Sequence, residues 1–384
     1  MKLRFIHFSD SHLGFVDYTS DDFSVQKARE DDAYKTVAAV IDHAIETKPD
    51  FVIHTGDFFH RPSPYNKAII EAGKQFKRLS DAGIPFYMIA GNHDLPKSED
   101  TRAIHEIYEM FPGCKIFYDQ KYSTLDCGSF ILHALPHINF SQNHLDEINK
   151  IAVTDTKKPN ILLMHLSMPV SIYKEEEPGG GIFPVDKLAI LKEFNYVALG
   201  HWHRFNHLNK YGNVCYSGST ERINSGEADH NKGFVEVTID DNETTINFKK
   251  LETREYLNIT VDGCSSKTKQ NILDEISAIT GGRDISEAIV RVVLKNVKDT
   301  RYYEIMRDDI HEITGDCLVL RFNKILEGQT SVEDRDNQGG ESLVDRLLAD
   351  LRAGFPDEEE FKKFEEITKE LFEEIITQDG GNDN

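Results

Sequence analysis

Asp10-Ser11-His12, Gly56-Asp57, Gly91-Asn92-His93-Asp94, His165 and Gly200-His201-Trp202-His203 put carboxylates, an amide and imidazoles at five separate points of the chain. Each follows a short apolar run: "LRFIHF" (3–8), "FVIH" (51–54), "FYMI" (86–89), "ILLM" (161–164) and "YVAL" (196–199). An Asx turn, a cap or a hydrogen-bonded core histidine would account for any one of them, since Asn, Asp and Gly favour turns. Five such turns, each after a strand and each carrying metal-ligand chemistry, are not independent accidents. Oxygen and imidazole donors without thiolate suit Mn2+, Mg2+, Fe or Zn2+ in an open catalytic site. Asp10, His12, Asp57, Asn92, His165, His201 and His203 are too many for one ion with open positions. They suit two ions about 3.5–4 Å apart with one carboxylate between them.

The elements that must position these residues are legible around them. Helix-compatible stretches over 29–47 and 67–82 lie between the strand-like runs, so the pattern is that of a layered α/β domain. In open α/β sheets ligands bind beyond the carboxyl ends of the strands, which is where the five turns stand. "GFVEVTI" (233–239) and "TINFKK" (245–250) read as an antiparallel hairpin finishing the sheet, closing a domain over 1–252. From there the rhythm becomes β-α-β-α-β over 253–326, a small capping domain. Residues 327–340, "GQTSVEDRDNQGG" and its preceding Glu327, form a polar flexible linker. Beyond it, 341–377 carries two amphipathic stripes, one through Leu343, Leu347 and Leu351 and one through Phe361, Phe364, Ile367 and Leu371. His7, His54, His133 and His137 stand outside the turns and read as core or edge residues.

Composition narrows the class. The 384 residues allow two or three domains. No run approaches the ~18 apolar residues of a membrane span, and "MKLRFIHFSD" is no signal peptide. Five scattered cysteines exclude a disulfide scaffold or a cysteine zinc site and favour a reducing, cytoplasmic compartment. The net charge of −22 is uneven: residues 331–384 hold 17 Asp and Glu against 6 Lys and Arg, half of the excess. Polyanion binding by the remainder stays open, since bound cations offset acidic charge locally.

The ordered set Asp10-x-His12, Gly56-Asp57, Gly91-Asn92-His93-Asp94, His165 and Gly200-His201-x-His203 resembles the motifs of calcineurin-like metallophosphoesterases. "DSHLG" and "GDFFH", which adds His60 three residues after Asp57, resemble the DNA-repair nuclease branch, as "YSGSTERINSGE" (216–227) resembles a segment of its archaeal members. The chain is similar to the nuclease subunit of SbcCD-type double-strand-break repair complexes, the group that includes the eukaryotic meiotic-recombination nuclease. The resemblance implies an α/β (α+β) metallophosphoesterase with two mixed β-sheets flanked by helices, a small β-α-β-α-β cap and C-terminal helices. It implies two Mn2+ per chain, with Mg2+ as a substitute. Asp10, His12, Asp57 and His203 would hold one ion, and Asp57, Asn92, His165 and His201 the other. It also implies a homodimer, docking of 341–377 on the coiled-coil base of an SMC-like ABC ATPase, and action on DNA: double-stranded ends, single strands and hairpins. A cytoplasmic, nucleoid-associated protein fits this.

On that reading His93 acts on the leaving oxygen, Asp94 orients His93 or favours its charged form, and His60 places DNA near the metals. Arg61, Arg204, Ser217 and Ser219 are candidates for phosphate contacts, whereas Lys67, Lys74, Lys77 and Arg78 read as a solvated helix face. Another two-metal enzyme, a protein phosphatase or small-molecule phosphodiesterase, would share the metal motifs but not His60, the cap or the terminal helices. A DNA-end scaffold with an inactive site would not need the full motif set.

Overall fold

The computed structural model describes residues 2–16, 23–96, 102–139, 141–153, 155–169, 181–241, 243–315 and 317–329. The chain divides into a compact unit ending at Gly328 and a second unit from Gln329 onward. The helices expected over 341–377, and the linker beyond residue 329, lie outside the described residues.

In chain order the first unit begins with β1 (Lys2–Phe8), α1 (Phe23–Thr47), β2 (Phe51–Thr55), α2 (Asn66–Asp81), β3 (Phe86–Ile89) and β4 (Cys114–Phe117). Next come β5 (Ser123–Asp126), β6 (Ile131–Leu135), α3 (Ser141–Ile148), β7 (Asn160–His165), β8 (Tyr196–Gly200), β9 (Asn206–His207) and β10 (Val214–Tyr216). The hairpin β11 (Gly233–Asp240) and β12 (Glu243–Lys250) follows, then β13 (Tyr256–Val261), α4 (Lys269–Thr280), β14 (Ile289–Val297), α5 (Arg307–Thr314) and β15 (Val319–Leu326).

Two six-stranded mixed sheets face each other, in the orders β12-β11-β1-β2-β3-β4 and β5-β6-β7-β8-β10-β9. β1 through β4 run parallel, and β11 returns antiparallel beside β1. Alternate residues of each central strand enter different cores. Leu3, Phe5, Phe51 and Ile53 meet Ile161, Leu163, Tyr196 and Ala198 between the sheets. Ile6, Phe8, Val52 and Met88 face α1 and α2 instead, packing on Val37, Ile41 and Phe76. Leu162, Met164, Val197 and Leu199 face outward under Phe183 and Leu191. Strands buried on both faces read as continuous apolar runs, which is why 3–8, 161–164 and 196–199 lack alternation.

His7 bridges the inter-sheet layer. His7 Nδ1 lies 2.8 Å from the Tyr196 hydroxyl and Nε2 lies 2.9 Å from Thr55 Oγ1. Burial, with His54 nearby, pushes its imidazole down to about 3, so it stays neutral. His54 and His133 are likewise fully buried.

The β13-β14-β15 sheet is parallel throughout, with α4 and α5 as its crossovers and its own core of Ile259, Ile272, Ile276, Val292 and Ile310. It is tied to the first sheets by polar contacts at the connecting segment. Arg254 Nε and Nη2 donate to the two oxygens of Asp32 on α1 at 2.8 and 3.0 Å, and Arg29 donates to the same carboxylate at 2.8 Å. Arg222 donates to Thr253 Oγ1 at 2.6 Å and to the carbonyl of Arg254 at 3.0 Å. A bidentate guanidinium–carboxylate pair fixes orientation as well as distance. Arg254→Ala is therefore expected to cost about 1–3 kcal/mol, the range for a hydrogen bond to a charged group, seen as a lower urea midpoint of the full chain. An unchanged midpoint would show that the clamp contributes nothing.

Candidate metal centre

The five turns converge. β1, β2, β3, β7 and β8 lie side by side or face to face and end at one rim of the sandwich. The turn after β1 is laced to the turn after β2: Asp10 N donates to Gly56 O at 3.1 Å, His12 N to Asp57 O at 3.0 Å and Leu13 N to Phe58 O at 2.8 Å. Asp10, His12, Asp57 and His201 all adopt positive φ, at 51, 45, 56 and 96°. Such angles are uncommon for residues with a Cβ and cluster at sites whose surroundings enforce them. The glycines beside them make room. A Cβ on Gly91 would lie 2.1 Å from Asp57 Oδ1, and one on Gly56 would lie 2.3 Å from His165 Nδ1.

Asp57 stands at the centre. Its Oδ1 accepts the His93 amide at 2.8 Å. Its Oδ2 faces His165 Nε2 at 3.3 Å and His12 Nε2 at 3.9 Å. On one side, Asn92 Oδ1 lies 2.9 Å from His165 Nε2 and 3.2 Å from His201 Nδ1. On the other, His12 Nε2 lies 3.1 Å from His203 Nε2. Donor atoms of Asp10, His12 and His203 lie within 4.8 Å of one another, as do those of Asp10, Asp57 and His165. All seven residues read from the sequence as ligands therefore come together. None of the five cysteines belongs to these groups.

The chemistry of this donor set fits divalent cations. His165 Nδ1 is engaged by the Thr55 carbonyl at 2.7 Å, so its Nε2 is left facing two oxygens, Asn92 Oδ1 and Asp57 Oδ2. Burial works to lower the His165 imidazole, yet the Asp57 carboxylate outweighs it and raises the group to about 10. Burial, only partly offset by the Asp94 and Asp57 carboxylates, takes His54 down to about 3 in the same sandwich. Asp57 thus favours positive charge at His165, whereas burial lowers His12 and takes His201 down to about 3, leaving their nitrogens as neutral electron-pair donors. His201 Nε2 is buried and has no hydrogen-bond partner among the described residues.

His93 is half-buried at the mouth, its ring stacked on His60 with centroids 5.3 Å apart and edge-on to His12 at 4.9 Å. His60 Nδ1 lies 3.3 Å from His12 Nδ1. Asp94 does not orient His93. Its carboxylate accepts the amides of Phe58 (2.7 Å), Phe59 (3.2 Å) and Gly91 (2.8 Å) and lies 3.2 Å from His105 Nε2. It is fully buried and bolts the Asp57 turn to the Asn92 turn; against the burial penalty, His105 and the Gly91 amide lower its carboxyl. Ser217 and Ser219 are also removed from the DNA-facing candidates, since both are fully buried and bond within their own loop. Arg204 is exposed, and Arg61 lies over the Tyr65 ring at 4.6 Å. Lys67, Lys74, Lys77 and Arg78 are each paired with acidic side chains of α1 or α2. His105 and Lys232 belong to the site and carry no signal of it in their local sequence, and Glu227 ends the 216–227 segment without its role being legible there.

The calcineurin-like phosphoesterase family matches residues 3–205, just over half of the chain. The chain is 36% identical over 203 residues to the DNA double-strand break repair protein Mre11 of Sulfurisphaera tokodaii, covering 53% of this chain and 49% of that one. It is 30% identical over 277 residues to Mre11 of Methanocaldococcus jannaschii, covering 67% and 69%. With Mre11 of Sulfolobus acidocaldarius the match is 27% over 397 residues, 96% and 98% of the two chains. The match thus spans about half of the Sulfurisphaera protein and nearly all of the Sulfolobus one. A fold of two mixed sheets, a strand-end pocket of divalent-metal donors and these relatives agree: the chain belongs to the calcineurin-like phosphoesterase family, among the Mre11 DNA double-strand break repair proteins.

Proposed function

We propose that this chain is the Mn2+-dependent nuclease subunit of a double-strand-break repair complex, an exonuclease on duplex ends and an endonuclease on single strands and hairpins. The observation that carries the reading is the convergence of seven oxygen and imidazole donors around Asp57, with His93 beside them. Asp10, His12, Asp57 and His203 would hold one Mn2+, and Asp57, Asn92, His165 and His201 the second. Bound divalent cations supply charge neutralisation of the phosphodiester and activation of water.

The chain's own residues do the rest. The Asp57 amide-anchored carboxylate serves both donor groups and keeps them in register. His93, half-buried beside the donor groups, donates a proton to the departing sugar oxygen. His60, stacked on His93, guides the scissile phosphate into the pocket. Asp94 acts on the turns rather than on the proton. The parallel cap sheet over 253–326 stands as a DNA-binding element, and 341–377 as the segment that docks on an SMC-like ABC ATPase. Homodimerisation and a cytoplasmic, nucleoid-associated location complete the proposal; among the described residues no helix is long and apolar enough to cross a membrane.

With Mn2+ and end-labelled substrates, cleavage of duplex ends and single strands is expected. His93→Ala should lower it by 10²–10⁴-fold, on the order of a lost general acid, while calorimetry still counts two Mn2+ per chain. Hydrolysis of p-nitrophenyl esters with no DNA cleavage would instead mark a small-molecule phosphoesterase. Deletion of 341–384 should abolish co-elution with the ATPase and spare Mn2+-dependent cleavage of single strands. Survival of co-elution would remove the tail from the interface.

A further inference from the structure

His203 differs from the other histidines of the pocket in what holds it. It stands with His201 in the loop between β8 and β9. His165, at the end of β7, is oriented by a backbone carbonyl, Thr55 O at 2.7 Å. His203 instead places Nδ1 2.9 Å from Oε1 of Glu227, a carboxylate 24 residues downstream that is 4% exposed. An imidazole facing a carboxylate through Nδ1 carries its proton there, because an ionised carboxylate only accepts. Its Nε2 then presents a lone pair, and that atom points toward His12 Nε2 at 3.1 Å.

Glu227 is itself locked. Its Oε2 accepts a hydrogen bond from Lys232 Nζ, an ammonium with no solvent exposure. The same Nζ donates to Ser219 Oγ at 2.7 Å and to the main-chain carbonyl of His203 at 2.9 Å. The three protons of the ammonium therefore go to Glu227, Ser219 and His203. His203 is gripped twice by one unit, at its imidazole through Glu227 and at its backbone through Lys232. The His203 carbonyl also accepts the Ser219 amide at 3.2 Å. A buried ion pair returns little net stability after desolvation, so its placement against a single histidine calls for another use.

We infer that Glu227, anchored by Lys232, is the positioning residue of His203: it holds the Nδ1–H tautomer, directs Nε2 into the pocket and sets the divalent-cation affinity of the Asp10–His12–His203 side. The inference rests on the proposed metal centre and makes its two sides unequal. The Asn92–His165–His201 side has a carbonyl-oriented imidazole in His165, whereas this side has a carboxylate-oriented one, which is the more basic donor.

The test titrates Mn2+ into the full chain by calorimetry and follows ¹⁵N-labelled histidine side chains by NMR. Three proteins are compared with the unaltered chain: Glu227→Gln, the pair Glu227→Leu with Lys232→Met, and Asp57→Ala. The double variant removes both charges, so no lone buried ammonium is left to unfold the loop. It is expected to weaken one of the two Mn2+ sites 10–100-fold, the usual effect of removing such a partner, and to leave the other unchanged. Glu227→Gln, which keeps an acceptor oxygen, should recover part of the loss. In the metal-free double variant the His203 nitrogen resonances should move from one tautomer to a mixture. Unaltered affinity and an unaltered His203 tautomer in the double variant would overturn the proposal, while loss of binding in Asp57→Ala shows that the centre itself is present. If Asp57→Ala also binds two Mn2+ normally, the metal centre and the inference fall together.

Discussion

Everything in this molecule answers to one electrostatic constraint: a buried pocket in which carboxylate, amide and imidazole electron pairs face one another at hydrogen-bond distance. His165 Nε2 has Asn92 Oδ1 at 2.9 Å and Asp57 Oδ2 at 3.3 Å, and no apolar group intervenes. Such a cluster in a low-dielectric interior costs free energy unless positive charge sits within it. Two buried imidazoles meet opposite fates: burial takes His54 down to about 3 although Asp94 and Asp57 pull upward, whereas direct contact with the Asp57 carboxylate raises His165 to about 10. The same field that draws cations would draw a phosphodiester only after those cations are bound, which reconciles an acidic protein with the proposed polyanionic substrate.

The sandwich exists in the form that can impose this constraint. Two sheets meet over a dry layer of Phe5, Phe51, Ile161 and Tyr196, and their strands end together at one rim. The turns that leave this rim hold Asp10, His12, Asp57 and His201 in left-handed backbone angles. The unfavourable local geometry is held by interloop hydrogen bonds and by Asp94, whose carboxylate collects three amides from two turns. A rigid scaffold with strained turns is a general way to preorganise ligands. Arg222, Arg254 and Asp32 connect this rim's supporting loop to the cap sheet, so the cap is braced against the segment that carries Glu227.

How much of this could be read beforehand follows from which interactions are local. The two-sided strands announce themselves as apolar runs, and each ligand follows its strand immediately, so the seven donors and the layered architecture are legible. β4 and β5 are not: four-residue edge strands with half-exposed side chains leave no periodic signal. α1 begins at Phe23, earlier than its apolar spacing suggests, because only Val25 is buried before Arg29 and the opening turns carry no apolar period. Asp94 reads as a partner of His93 from adjacency, yet its contacts lie 35 and 36 residues back in the Asp57 turn. Glu227 closes the 216–227 segment, yet its role and that of Lys232 are invisible for the same reason, since only the folded loop brings them to His203.

The most direct measurement is an anomalous difference map from crystals of this chain soaked in Mn2+, recorded on either side of the manganese edge. The account requires two peaks flanking the Asp57 carboxylate, one among Asp10, His12 and His203 and one among Asn92, His165 and His201. A single peak, or peaks that avoid Asp57, would contradict it.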